Sequence, residues 1–497
     1  GSVTVSTADY LRLADGLRFN AILGPQDALL SQAPVVAFGF LNPHPRPITV
    51  QGATLEVQQH TTPNEPARAL TLVGGDITIA GSTLRASGGE INVVSVASRG
   101  EVIPIAAATG PSTLPERAAQ PEMRGFQTLG KITMTDATVE TSPVTARLGV
   151  GPIVIRGGQL VMTNSTISGV SMTGENHGGP ISINISDTIR AVDSRIASGT
   201  NEGVGGAVSL TAGQAIRLTN TTVESNGQGI FGEAGSVDLT ASRISITGNA
   251  NGGSVVSASG GEFRSHGDQG VTIHADQFRL ENGSQIHATG GRRGGNVVIN
   301  AADTVRIDQG TINVSALPGS FSTGEGVRAG NISITAGESV RFNHAQLFAG
   351  TEKGDAGNIV IDAGKTYVSE SGGTVAGSAN GNGGNIIIQA SERIRIDGGL
   401  FAARGGGEGG GGTITIQASE GIRIEGGTVS TRANGDGGGG NITYESDVVQ
   451  LRNNTTESTA VYGPGGTITI KANDFRKLNS TVDVTSQFGQ NGTVILP

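Results

Sequence analysis

The chain of 497 residues has no cysteine, no tryptophan, four tyrosines and seven histidines. Without cysteine there can be no disulfide, no cysteine–zinc site and no thiol nucleophile. Aromatic residues make up 3% of the chain, too few for the stacked platforms on which sugar clefts are usually built. No run of 18 apolar residues occurs, so no membrane-spanning segment is expected. The net charge of −9 argues against nucleic acid as the main partner. No stretch carries a sustained 3.6-residue apolar period with caps, which leaves no helix of importance. No secretory leader opens the sequence. It starts Gly1-Ser2-Val3-Thr4 in what reads as mid-domain, and is expected to be a fragment or processed form.

Glycine is abundant instead, at 81 residues, more than twice ordinary usage. Much of it belongs to a repeat of about 27 residues. One copy reads Gly384-Asn385-Ile386-Ile387-Ile388-Gln389-Ala390, then Ile394-Arg395-Ile396-Asp397-Gly398-Gly399. The next reads Gly412-Thr413-Ile414-Thr415-Ile416-Gln417-Ala418, then Ile422-Arg423-Ile424-Glu425-Gly426-Gly427. The residue after the opening glycine recurs at Pro152, Pro180, Ala207 and Ser236, and again from Asn331 through Asn358, Asn385, Thr413, Asn441 and Thr467 to Thr493. Longer loops are expected between Ser254 and Asn331, where the steps are irregular.

Within a repeat, apolar residues alternate with polar ones over short runs rich in Ile, Val and Thr, the pattern of half-buried strands. Glycine pairs separate the runs and supply turns where positive φ costs little. Strands this short bury nothing alone; coiled so that each pairs with its counterpart one repeat on, they stack their Ile and Val into columns. The predicted fold is therefore an all-β, single-stranded parallel β-helix, or β-solenoid, with three short strands per coil. Dividing the length by the period gives roughly 18 coils of about 27 residues. Alanines 301, 336, 363, 390, 418 and 472 share one repeat position, where a small residue suits a tight corner. Propeller blades have periods nearer ~40 residues, and sandwiches lack so regular a repeat.

The most distinctive outward feature is an arginine column. The second strand of successive repeats carries Arg190, Arg217, Arg279, Arg306, Arg341, Arg395 and Arg423, with Ser245 in one coil and none near Tyr367. Two residues on stand Glu281, Asp308, Asp397 and Glu425. Such a column reads either as a solvated charge ladder that blunts lateral aggregation or as a binding stripe for sulfated or acidic glycans, which suit arginine's planar fork.

A catalytic reading needs clustered carboxylates on neighbouring coils. The position ending the first strand reads Asn300, Thr335, Asp362, Gln389, Gln417, Glu445, Lys471, so Asp362 is flanked by Thr335 and Gln389 and forms no pair. His274, His287 and His344 fall at different strand positions and His60 stands alone, which gives no metal-ligand set. No catalytic, cofactor or metal residues are assigned, and no enzyme activity is expected.

The N-terminal segment resembles the second half of the secretion domain of filamentous haemagglutinin-like exoproteins of the two-partner secretion pathway. The residues carrying the resemblance are Ser6-Thr7-Ala8-Asp9-Tyr10-Leu11-Arg12-Leu13-Ala14-Asp15-Gly16, Ile48-Thr49-Val50-Gln51-Gly52, and Leu72-Val73-Gly74-Gly75-Asp76-Ile77-Thr78-Ile79. They continue with Leu84–Ile91 and Ser95–Val102, and Ser486–Val494 is similar to the end of a repeat array in such proteins. The Asn-Pro-Asn-Gly-type motifs of the family do not occur; Asn42-Pro43-His44-Pro45 is no match. The resemblance implies a right-handed β-helix, secretion from a Gram-negative cell through an outer-membrane transporter partner, and a cell-surface adhesive role. Residues 1–103 are then the C-terminal part of the secretion domain, 104–127 a Pro- and Ala-containing external loop, and 128–497 the repeat array. The expected function is that of a secreted adhesin or exoprotein passenger meeting a glycan or cell-surface receptor along an extended surface. A structural or filament-forming spacer is the alternative, and a polysaccharide-active β-helix enzyme a more distant one.

Overall fold

A computed structural model describes residues 1–22, 31–58, 68–104, 118–142, 150–171, 177–261, 269–317 and 326–497. The fold is an all-β parallel β-solenoid of about 14 turns, with no helix among the described residues. The count is lower than the roughly 18 obtained from the period, because that division spreads every residue over coils. Part of the chain forms an antiparallel sheet instead, and some coils are long: Asn296 and Asn331, 35 residues apart, bond to each other across one coil step. Two compact units divide the chain, Gly1–Gly227 with Val237–Ala241, and Gln228–Ser236 with Ser242–Pro497.

In the second unit a representative coil consists of strands Asn385–Ala390, Arg393–Asp397 and Leu400–Ala402. Each pairs in parallel with its counterpart one repeat on: Ile386 with Ile414, Ile394 with Ile422, Phe401 with Val429. The inward column of first strands runs Ile332, Ile359, Ile386, Ile414, Ile442, Ile468, all fully buried. Each such side chain contributes roughly 1.5–3 kcal/mol by leaving water. Where the columns vary, sizes compensate. Tyr367 stands between Val340 and Ile394, Ser369 follows it two residues on beside Phe342, and the Tyr367 and Phe342 rings meet edge to face at 5.6 Å. Of the six corner alanines, Ala301, Ala336, Ala363, Ala390 and Ala418 are buried, as their size predicted, and Ala472 is half-buried.

The two glycine signals of the repeat have different causes. Gly398, Gly399, Gly426 and Gly427 close the second strand with φ of +71 to +91°, so there the left-handed conformation selects glycine. Other coils place Asn282, His344, Asn453 or Asn479 at this corner, also at positive φ. The opening glycine has no such φ. A Cβ on Gly384, Gly412, Gly440, Gly466 or Gly492 would fall well inside van der Waals contact of the carbonyl oxygen of the preceding coil's opening glycine. Glycine is selected there by the close approach of backbones. Beside it the Asn331 and Asn358 Oδ1 atoms accept from the N–H of Asn358 and Asn385, each at 2.9 Å, a side-chain ladder reinforcing the same step.

The first unit repeats this architecture, with an inward column Ile48, Ile77, Ile132, Leu160, Ile189, Ile216. It adds a five-stranded antiparallel sheet that the repeat gives no hint of. Its strands are Tyr10–Leu13, Arg18–Asn20, Val35–Phe40, Gly100–Ile103 and Glu122–Arg124. Phe38, Phe40 and Val102 of this sheet pack on Val73, Val94 and Val96. Tyr10 lies over Gly39, where any side chain would meet its ring. Its hydroxyl donates to Glu101 Oε1 at 2.6 Å, and Arg12 pairs with the same carboxylate at 3.1 Å. The Tyr10 bond, with help from Arg12, holds the Glu101 carboxyl below its usual range. Most of the expected external loop, 105–117, lies outside the described residues, as does His60.

The close approach at the opening glycine makes a sharp prediction. Gly412→Ala forces the backbones of adjacent coils apart and lowers stability by about 2–3 kcal/mol, the scale of core overpacking. Gly421→Ala, whose Cβ has only Val448 O at 3.9 Å, changes stability by less than about 1 kcal/mol. Thermal and urea unfolding of the two variants measures the contrast; equal effects would remove the steric account.

Candidate functional site

Outward positions of a solenoid inherit the register of the core, so like residues one repeat apart become neighbours across strands. In the first unit Arg190 pairs with Arg217. In the second, one row runs Ser245, Arg279, Arg306, Arg341, Val368, Arg395, Arg423, Gln450, Arg476. The seven predicted arginines are thus brought into register within their units, all exposed, with Val368 filling the gap foreseen near Tyr367. Arg476 was missed because Lys477 stands where the apolar residue after arginine was expected.

The row two residues on is Thr247, Glu281, Asp308, Asn343, Glu370, Asp397, Glu425, Arg452. Glu370 is hidden from the sequence pattern because its coil carries Val368 in place of arginine. The two rows interlock. Arg306 contacts Asp308 at 3.0 Å and Glu281 of the adjacent coil at 3.6 Å. Arg395 meets Asp397 at 2.6 Å, and Arg423 meets Glu425. Asn343 Nδ2 donates to Asp308 Oδ1 at 2.9 Å. Arg476 uses the acid on its other side, Asp474, at 2.5 Å. The bond to Asp397 raises the Arg395 pKa, and the bond from Arg423 lowers that of Glu425, aided by the charges of Arg423, Arg452 and Arg395.

Four arginines stand apart. Among the described residues Arg190, Arg217, Arg279 and Arg341 have no carboxylate within ion-pair distance. Arg279 shares its strand with Glu281, and Arg341 lies one coil from Asp308. Arg190 and Arg217 have no acid row beside them: the equivalent positions are Val192 and Thr219. Two exposed guanidinium groups on adjacent strands, about 4.8 Å apart at the backbone, with no acid two residues on, make the least neutralised part of the ladder.

Asp362 is flanked in register by Thr335 and Gln389, so no carboxylate pair forms across those coils. His344 sits at a positive-φ corner with Nδ1 2.7 Å from Asn343 Oδ1; His287 touches Gln285 at 2.6 Å, and burial lowers its pKa. Among the described residues no group of three His, Asp or Glu side chains is placed to hold a metal ion. No protein-family model, curated protein or solved structure matches the chain.

The interlocked rows predict a titration. Glu425 should protonate below the ordinary glutamate range of ~4.3, and Arg423→Gln should return it towards that range, read by carboxyl carbon NMR. A folded pKa below the unfolded one means that its contribution to stability is complete above the unfolded value and is lost as pH falls through the folded one. The pair is open to solvent, with side chains 44% and 41% exposed, which keeps the effect small, so thermal midpoints of the two proteins should converge at acid pH and differ little at pH 7.

Proposed function

We propose that this chain is the solenoid passenger of a secreted, two-partner-type exoprotein and acts as an adhesin, binding acidic or sulfated glycans rather than turning over a substrate. The observation that carries the reading is the Arg190–Arg217 pair. Arginine's fork suits the planar carboxylate and the oxygens of a sulfate, and two forks in strand register meet successive anionic groups of a polymer. The acid-paired arginines of the second unit serve solubility and lateral repulsion instead, since an anion binding there must displace an intramolecular carboxylate. The secretion reading is supported by the similarity of 6–16, 48–52 and 72–102 to the haemagglutinin-type secretion domain, and it fits a cysteine-free repeat protein.

The test is binding of the whole chain to heparin-like and polygalacturonate chains at low and moderate salt. Arg190→Ala/Arg217→Ala should lose most of the affinity, whereas Arg395→Ala/Arg423→Ala should retain it. Affinity of the unmutated chain should fall as salt rises. Equal loss in both variants would make the whole row the receptor face, and no binding at low salt would leave the adhesin reading without its site.

A further inference from the structure

The second unit carries a furrow that neither the arginine row nor the proposed anion site uses. It follows the corner between first and second strands as a shallow depression of about 780 Å³, open to solvent. One wall is the row Asp362, Gln389, Gln417, Glu445, Lys471, in strand register over five coils. Facing it across the corner are Ser391, Ser419, Asp447 and Asn473. The corner residues Ala390, Ala418, Ser446 and Ala472 lie between the walls, and it is their small size that keeps the furrow open. The hydroxyl of Ser446, a residue 8% exposed, has no hydrogen-bond partner.

The chemistry of the walls selects a ligand class. Three carboxylates stand against one ammonium, and that ammonium, Lys471, is held by Glu445 at 3.1 Å. The furrow is therefore net negative and repels polyanions. Its centre is uncharged: Gln389 Nε2 donates to Gln417 Oε1 at 3.4 Å, leaving the outer donor and acceptor of each amide free to turn outward. Such a surface recognises hydroxyl groups. Each coil adds polar groups every ~4.8 Å, close to the advance of one pyranose ring in an extended chain: the same amide and serine on two adjacent coils, Gln389 with Ser391 and Gln417 with Ser419, flanked by Asp362 on one side and by Glu445, Asp447, Lys471 and Asn473 on the other. An extended peptide repeats its facing side chains at about 6.8 Å, twice the residue rise, and would drift out of register within two coils.

We infer that this furrow is a binding site for a linear, uncharged polysaccharide lying along the solenoid axis, one sugar per coil. With no aromatic platform in the furrow each sugar is held weakly, and affinity accumulates from contacts repeated along the chain. Binding should therefore depend steeply on ligand length. The site belongs to the second unit, so it stands or falls apart from the Arg190–Arg217 reading.

The experiment titrates the intact chain with β-1,4-linked glucose and mannose oligomers of two to six sugars, using hexagalacturonate as the anionic control. At least one neutral hexamer should bind tenfold or more tightly than its dimer, and hexagalacturonate should not compete. Gln389→Ala/Gln417→Ala should weaken the hexamer at least tenfold with an unchanged melting curve; Arg190→Ala/Arg217→Ala should leave it untouched. Gln389→Lys/Gln417→Lys should admit hexagalacturonate, a gain that misfolding cannot imitate. Absence of hexamer binding, affinity independent of length, or full affinity in the Gln→Ala variant would overturn the proposal.

Discussion

The constraint on which the other features depend is the approach of one coil's backbone to the next at the opening glycine. Hydrogen bonding between parallel strands fixes the spacing at about 4.8 Å, and at the corner beside Gly384, Gly412 and Gly440 that spacing leaves no room for a Cβ. Because the contact is backbone to backbone it tolerates no drift, and it holds neighbouring coils in a single register. The isoleucine columns then fill an interior whose geometry is already set. Asn331 and Asn358, bonding to the backbone of the next coil, secure the same step from the side.

A locked register copies each outward residue onto the next coil, which creates an electrostatic problem along with an opportunity. Arginines stacked at strand spacing repel one another. The second unit answers with an acid row two residues away, so that Arg306 reaches carboxylates on its own and an adjacent coil. The pairs are exposed and individually worth little; what they remove is the mutual repulsion that the register would impose. Where the acid row is missing, at Arg190 and Arg217, the repulsion stays uncompensated and an external anion can relieve it. The same reasoning separates the furrow from the ladder, because amide rows can be repeated coil after coil without any charge to balance.

The features that repeat were legible from the sequence. Alternation gave the strands, the 27-residue period placed the arginines in register, and five of the six corner alanines lie buried where their size put them. What does not repeat was not legible. The antiparallel sheet around Phe38, Phe40 and Val102 is assembled from segments far apart in the chain, and no local period announces which of them will meet. Counting coils by division failed for the same reason, since it treats such segments as repeats. The opening glycine was visible while its cause was not: sequence alone cannot distinguish a residue chosen for positive φ, such as Gly398, from one chosen for the absence of a side chain, such as Gly412. Gln389 and Gln417 were in view as members of a row, but a row read for paired carboxylates does not disclose that it walls a furrow.

Register also bears on the choice between binding and catalysis. Glycosidic hydrolysis needs two carboxyl groups in unlike environments, one of them kept protonated near neutral pH. The acid row of the second unit does place Glu370, Asp397 and Glu425 on adjacent coils. Repetition gives two of them the same companion, an arginine two residues before, and at Glu425 that companion pushes the carboxyl towards easier ionisation, away from the proton donor a hydrolase requires. A surface generated by copying one coil favours many equivalent weak contacts over a single asymmetric centre. Such a surface suits ligands that are themselves periodic, and this is the physical ground on which we propose polymer binding.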